Sequence, residues 1–284
     1  MFPSLIIMLY SSDIESKLFF ILLILINSSI SYGFDNSDLE KLKATGSCKN
    51  CDLTGANLEG AYLDQANLSY SNLSGANLKN VKMANSDLSN TILSGANLTK
   101  ADMPSTLLDN AVIEDAILID VNLTSSIIKN ASFKNSDLSS ADLHGTKLNF
   151  SKFDNAIMKN TDLRRADLTN TSMTNVNLSE SRMSLCLFEN SNLQGSVISK
   201  AIIRNTNFSN SNLINVDLSN SSLRRSIFYK ADLKGSKLSG ANLFKVNFTL
   251  ANLPHLSSKD AIFSNAILCK TKMEDKVSDR NCNN

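Results

Sequence analysis

Three kinds of residue in this chain could do chemistry. There are five cysteines (48, 51, 186, 269 and 282), two histidines (144 and 255) and seven arginines, six of which fall between Arg164 and Arg225. Cys48-Lys49-Asn50-Cys51 has the spacing of a thiol–disulfide redox pair and also of half a zinc site. The redox reading needs a βαβ context, which is absent. The zinc reading needs two more ligands, and only His144 and His255 are on offer, far apart in the chain. There is no Ser-His-Asp set, no metal cluster and no glycine loop that would cradle a phosphate. Asp is plentiful but alternates with Asn, which reads as solubility. We therefore expect no enzyme, no cofactor and no metal.

The elements that must position these residues follow from one period. Ala56-Asn57-Leu58, Ala66-Asn67-Leu68, Ala76-Asn77-Leu78, Ala96-Asn97-Leu98 and Ala241-Asn242-Leu243 share one register of five. From Leu53 to Met273 every fifth residue is Leu, Ile, Met or Phe, with Ser258 the only lapse. Two residues before each stands a small residue, with Leu256 the exception. A helix repeats every 3.6 residues and a strand every 2, so neither keeps such a column inside. A chain that turns a quarter-circle every five residues does, and four turns close a square coil of about 20 residues. Coils of this kind stack at strand spacing, about 4.8 Å. Gly, Asn and Asp suit the corners because they tolerate left-handed backbone angles. Stacked corner asparagines such as Asn90 and Asn110, or Asn135 and Asn155, can bond coil to coil.

The A-[DN]-L-x-x register resembles the pentapeptide repeat family from residue 51 to 273. The resemblance implies an all-β fold, a right-handed quadrilateral β-helix of about 11 coils, roughly 50 Å long at strand spacing. An uninterrupted repeat makes one solenoid, stabilised by neighbour contacts and in need of capped ends. Ser37-Asp38-Leu39-Glu40 reads as a capping box that opens a short N-terminal helix, with Gly46 ending it. We assign 1–33 as a signal peptide, 34–50 as the N-terminal cap, 51–273 as the β-helix and 274–284 as a C-terminal tail. Around Pro254 and Ser258 we expect the last full coil to be distorted, bulged or partly open.

The signal assignment rests on the apolar run Leu18–Ile26 followed by small residues at Ser31 and Gly33, with cleavage before Phe34. The run is too short for a comfortable membrane span. Localisation is thus expected in a periplasm, a thylakoid-type lumen or the exterior, where disulfides persist. Cys48 and Cys51 both fall in inward columns, which favours a structural disulfide at the cap. The stretch around them resembles the start of exported and lumenal family members. The segment from Ala266 to Met273 with Cys282 resembles a closing segment of the same family, and that resemblance implies a Cys269–Cys282 bridge. Cys186 is left as a buried, inert thiol in the small column.

Sorted on a 20-residue coil, Arg164, Arg165, Arg182, Arg204, Arg224 and Arg225 fall on the wall centred on Leu63, Met83 and Met103, and Lys245 continues them. Leu185, Ile202 and Phe244 interrupt this ribbon, and Asp64, Asp102, Asp142 and Asp162 precede it on the same wall. Arginine forks suit carboxylates and phosphates. The leading expectation is an exported, non-enzymatic scaffold or binding rod that engages a protein or an anionic surface through this wall. Some family members mimic duplex DNA, bind gyrase and protect it from quinolones. A near-neutral exported chain fits that alternative less well. A secreted effector acting on another cell is a third option. Nucleic acid is disfavoured because the cations lack regular aromatic interleaving and the expected compartment is wrong for it. An end-to-end homodimer is open if the last coil exposes apolar surface.

Overall fold

The computed structural model describes residues 35–274 and 276–282, so the assigned signal peptide lies outside the described residues. From Ser47 onward, the residue before each apolar centre pairs in parallel with the residue 20 positions later. Asp52 pairs with Asn72, Asn72 with Ile92, and the ladder runs without a slip to Lys272. Main-chain groups serve this ladder in both directions. The Leu53 N–H donates to the Asn72 carbonyl (2.8 Å) and the Asn72 N–H donates back to the Cys51 carbonyl (2.9 Å). The small-column N–H closes many of the turns, as Ala56 does on the Leu53 carbonyl (3.0 Å). The result is a right-handed quadrilateral β-helix.

The columns have the predicted environments. Large residues fill the interior, where Phe188, Phe208, Phe228 and Phe248 stack face to face at 4.9, 4.9 and 5.2 Å. The fourth residue after each small one sits at positive φ, with Asn90 at 60° and Arg165 at 62°. Asn predominates at these corners because its short side chain tolerates that region. Asn110 donates to Asn90 (3.3 Å) and Asn155 to Asn135 (3.3 Å), the expected coil-to-coil bonds. Where glycine follows asparagine in a corner column, the asparagine explains it. A Cβ on Gly195 would lie 2.5 Å from Asn175 Oδ1.

Two columns do more than their residue types suggested. The outward Asp and Asn are turn caps rather than solubilising decoration. The side-chain oxygen of Asn67 accepts the Ser69 N–H (3.0 Å), and Asp137 accepts that of Ser139 (2.9 Å). This is an Asx turn repeated along the chain. Buried serines in the small column rivet neighbouring coils. Ser71 Oγ accepts from the Cys51 N–H (3.0 Å) and donates to the Cys48 carbonyl (2.6 Å). Ser86, Ser136 and Ser196 repeat the pattern. A hydroxyl there satisfies main-chain groups that water cannot reach.

The ends are closed by other structure. Helix α1 (Asn36–Thr45) adds Leu39 and Leu42 to the core. Its N-cap is Asp35, not Ser37: Asp35 Oδ1 accepts the Ser37 N–H (2.8 Å). Asp caps as well as Ser, and the helix starts two residues earlier than expected. Asp38 is thereby freed to accept the Asp52 N–H (2.8 Å), and Glu40 turns to Lys43 (3.0 Å) instead of the cap. Gly46 ends the helix at φ 66° as expected.

At the other end, strand β1 (Leu268–Lys272) pairs antiparallel with β2 (Val277–Arg280), so part of the expected tail folds back as a hairpin. The last full coil keeps its ladder, with the Ser257 N–H on the Ser236 carbonyl at 3.0 Å. It is partly open rather than bulged. With Ser in the large column, a cleft of about 580 Å³ remains between Leu253, Leu256, Phe263, Leu268 and Met273.

Gly195→Ala should lower the unfolding free energy by about 1–2 kcal/mol for the left-handed backbone alone, with the Asn175 contact adding to it. Denaturant unfolding of the Asn175→Ala/Gly195→Ala pair should show the added alanine costing less in that background. An equal cost in both backgrounds would remove the steric explanation.

Candidate functional site

Both terminal cysteine pairs are bridged. Cys48–Cys51 lies under α1 with both residues buried, and Cys269–Cys282 ties β1 to the segment after β2. Asp38 approaches the first bridge and Asp279 the second. Oxidised sulfurs offer no thiolate, so neither group is a metal centre in this state. His144 and His255 stand on different walls. His255 Nδ1 lies 2.7 Å from Glu274, which packs the hairpin onto the last coil.

Cys186 is fully buried, and its Sγ donates to the Leu163 carbonyl (2.7 Å), the place that serine hydroxyls fill on other coils. Burial pushes its thiol up to about 12. A group so far from ionising is no nucleophile.

Among the described residues the arginines form the one extended chemical feature. The ladder brings Asp142, Asp162, Arg182, Ile202, Ser222 and Asn242 into one column. Beside it run Arg164, Ser184, Arg204, Arg224 and Phe244, and at the corner Arg165, Leu185, Asn205, Arg225 and Lys245. Main-chain bonds hold these heights: the Arg165 N–H reaches the Ser184 carbonyl (3.1 Å), Leu185 reaches Arg204 (2.9 Å), and Arg225 reaches Phe244 (2.9 Å). All six arginines and Lys245 are exposed, so the structure assembles every member of the expected ribbon.

It does not leave them equivalent. Arg164 forks onto Asp162, with Nε at 2.8 Å from one oxygen and NH2 at 2.6 Å from the other, and Arg182 lies 3.8 Å from the same carboxylate. Burial would raise the Asp162 pKa. The Arg164 hydrogen bonds and the charges of Arg164 and Arg182 outweigh it, and the net pKa is lowered. At the other end Phe244 lies between cations, with Arg224 at 5.3 Å and Lys245 at 5.4 Å from its ring centre. Among the described residues Arg165, Arg204, Arg224, Arg225 and Lys245 have no ion-pair partner.

The acidic half of the wall is largely engaged within the chain. Asp64 accepts the Ala84 N–H (2.8 Å), Asp102 accepts from Asn122 (2.8 Å), and Asp142 accepts the His144 N–H (3.0 Å). The pairing of Asp162 with Arg164 was the site feature that the column assignment missed. The two residues lie two apart, and that spacing signals a contact only once the turn between them is known.

Fold and wall together define a solenoid whose outer faces, not its interior, are available to other molecules. The chain belongs to the pentapeptide repeat family. The model for pentapeptide repeats matches residues 47–83, 76–115, 116–153 and 148–184, and that for a pentapeptide repeat region matches 181–258. Members of this family are generally non-enzymatic structural or binding proteins. No curated protein matches the chain. Among solved structures, HetL, a pentapeptide repeat protein involved in heterocyst differentiation regulation in the cyanobacterium Nostoc, is 23% identical with a TM-score of 0.36. The match covers 86% of this chain and 99% of that one. Full-length QnrB1, a plasmid-mediated fluoroquinolone resistance protein, is 18% identical with a TM-score of 0.30, covering 77% and 92%. A pentapeptide repeat protein from the Arabidopsis thaliana thylakoid lumen is 26% identical with a TM-score of 0.12, covering 40% and 63%.

Two outcomes follow. Cys186→Ser should fold with the same unfolding midpoint to within a few degrees, because a hydroxyl can make the bond to Leu163. In the parent protein, alkylation near pH 8.5, where an ordinary thiol ionises, should label Cys186 only after denaturation. Rapid native labelling would contradict its burial. For Asp162 the folded pKa lies below the unfolded one, about 3.9. Its stabilisation is then complete above that value and is lost as pH falls through the lower folded pKa. Thermal unfolding of Asp162→Asn should therefore lie below the parent at neutral pH and converge with it in acid. A gap that stays constant with pH would rule out the ion pair as its cause.

Proposed function

We propose that this chain is an exported, non-enzymatic binding rod that docks an anionic partner through the basic wall. The observation that carries this reading is the set Arg165, Arg204, Arg224, Arg225 and Lys245, which have no ion-pair partner among the described residues and are gathered on one wall by the main-chain ladder. Stacked like charges repel, so a folded chain that keeps them side by side gains from an anion that neutralises them. Export is supported by a disulfide at each end of the solenoid, which would not persist in a reducing compartment. Among the described residues no helix is long and apolar enough to cross a membrane. A mimic of duplex DNA would need the opposite sign on its exposed wall, so gyrase binding fits this chain less well.

A photo-crosslinking residue at Ser222, in the column beside Arg204 and Arg224, should capture the partner from the exported fraction. The same residue at Asn212, on the opposite wall, should not. Capture should disappear in Arg204→Glu/Arg224→Glu. Equal capture from both walls would overturn the assignment of the docking face.

A further inference from the structure

We infer that the cleft at the C-terminal end of the solenoid binds an aliphatic carboxylate, with the acid on main-chain N–H groups and the hydrocarbon on the apolar floor. This site shares no residue with the basic wall. Along the β-helix the N–H of each large-column residue points to the next coil. Leu238 donates to the Ser257 carbonyl (2.6 Å) and Leu243 to that of Ile262 (2.8 Å). The corner residues do the same, Gly240 to Lys259 (2.8 Å) and Lys245 to Ser264 (3.0 Å). On the last coil nothing follows the equivalent residues Ser258, Asp260, Phe263 and Asn265. Among the described residues their N–H groups have no acceptor.

The chain itself shows which acceptor this end takes. The four left-handed corners of the last coil are His255, Asp260, Asn265 and Lys270. Glu274 Oε2 accepts the His255 N–H (3.0 Å), and Asp279 Oδ1 accepts the Lys270 N–H (3.1 Å). The hairpin thus meets two corners with carboxylates and leaves the two between them without one. Ionised acceptors make stronger bonds to N–H than neutral ones. Lys276 and Arg280, on the same hairpin, line the cleft and have no ion-pair partner among the described residues. Donors and cations together call for one more acid.

The floor sets the rest of the ligand. Ser258 stands where the large column otherwise holds Leu, Ile, Met or Phe, and the cleft of about 580 Å³ is the space that such a side chain would have narrowed. Leu253, Leu256, Phe263, Leu268 and Met273 line it. The volume is within the range of small-molecule sites, about 300–1,000 Å³. Inorganic phosphate or a polyanion would leave this floor in water, and an uncharged lipid would leave the cations unanswered. A strand added to the edge would meet the N–H groups but brings no charge of its own. A second copy seated on this end about a two-fold axis would gather the cations of both chains in one interface.

The test is calorimetric titration of the full chain, disulfides intact, with sodium octanoate, decanoate and dodecanoate. One molecule should bind per chain, with affinity rising about three- to fourfold for each added methylene. Dodecanol should bind about tenfold more weakly than dodecanoate, for want of the charged hydrogen bonds. In the complex, hydrogen exchange of the Ser258 and Phe263 amides should slow. Lys276→Gln/Arg280→Gln should lose about tenfold. Ser258→Leu, which restores the repeat, should unfold no sooner than the parent and should not bind. Arg204→Glu/Arg224→Glu should bind as the parent does, so failure here leaves the docking wall untouched. Equal affinity for dodecanoate and dodecanol, or undiminished binding by Ser258→Leu, overturns the inference. So does a chain that takes up no dodecanoate but doubles its mass by light scattering unless Ser258 is replaced by Leu, since a second copy would then fill the cleft.

Discussion

Everything in this structure depends on one requirement: the main-chain N–H and C=O groups of the ladder must find their partners on the neighbouring coils, 19 or 21 residues away. A narrow coil has no water inside to serve them, and a buried main-chain group left alone costs about as much as a lost hydrogen bond. The ladder from Ser47 to Lys272 meets the requirement with no insertion or deletion. One extra residue would unpair everything beyond it. That intolerance keeps the small column small, the corners left-handed and the large column in phase. It also converts a spacing in sequence into a position on a wall. Arg204 and Arg224 are neighbours because the ladder cannot place them otherwise.

The interior is committed to packing, so variation is left to the outward positions. Even there, much is already taken. Asp and Asn before each centre close Asx turns, corner asparagines bridge coils, and Glu114 and Asp154 reach hydroxyls on the next coil. What remains for a partner is the set of side chains that the fold does not use. On the wall centred on Leu163, Met183, Ile203, Leu223 and Leu243, that remainder is mostly cationic. Asp162 trims it by holding Arg164, which moves the free charge toward the C-terminal coils.

The legible part of the fold was the part that repeats. Leu, Ile, Met and Phe at every fifth place define the interior directly, and the wall assignment of Arg182 or Lys245 needs only counting. The illegible parts were those where a neighbour decides. Ser71 and Ala56 occupy equivalent columns, and only the adjacent coil shows that one hydroxyl carries two inter-coil bonds. Asp35 and Ser37 are both good caps, and the choice between them turns on Asp38 reaching Asp52, a contact between helix and coil that local sequence does not encode. Val277–Arg280 carries no repeat at all, so its return as β2 was invisible. The closing elements matter because an open coil would present unpaired strand edges, a template for aggregation. Helix α1 covers one end and the hairpin part of the other.

The central claim is the unbroken 20-residue register that assembles the wall. Paired cysteines test it most directly, because Ile202 and Ser222 are stacked neighbours in the ladder whereas Ile202 and Ile227 are on adjacent walls. Stacked residues about 4.8 Å apart are within the Cα separation that a disulfide spans. Mass spectrometry of the oxidised protein should find the bridge in Ile202→Cys/Ser222→Cys and not in Ile202→Cys/Ile227→Cys. A bridge in the second pair and none in the first would mean that the coil does not close at 20 residues, and the basic wall would dissolve with it.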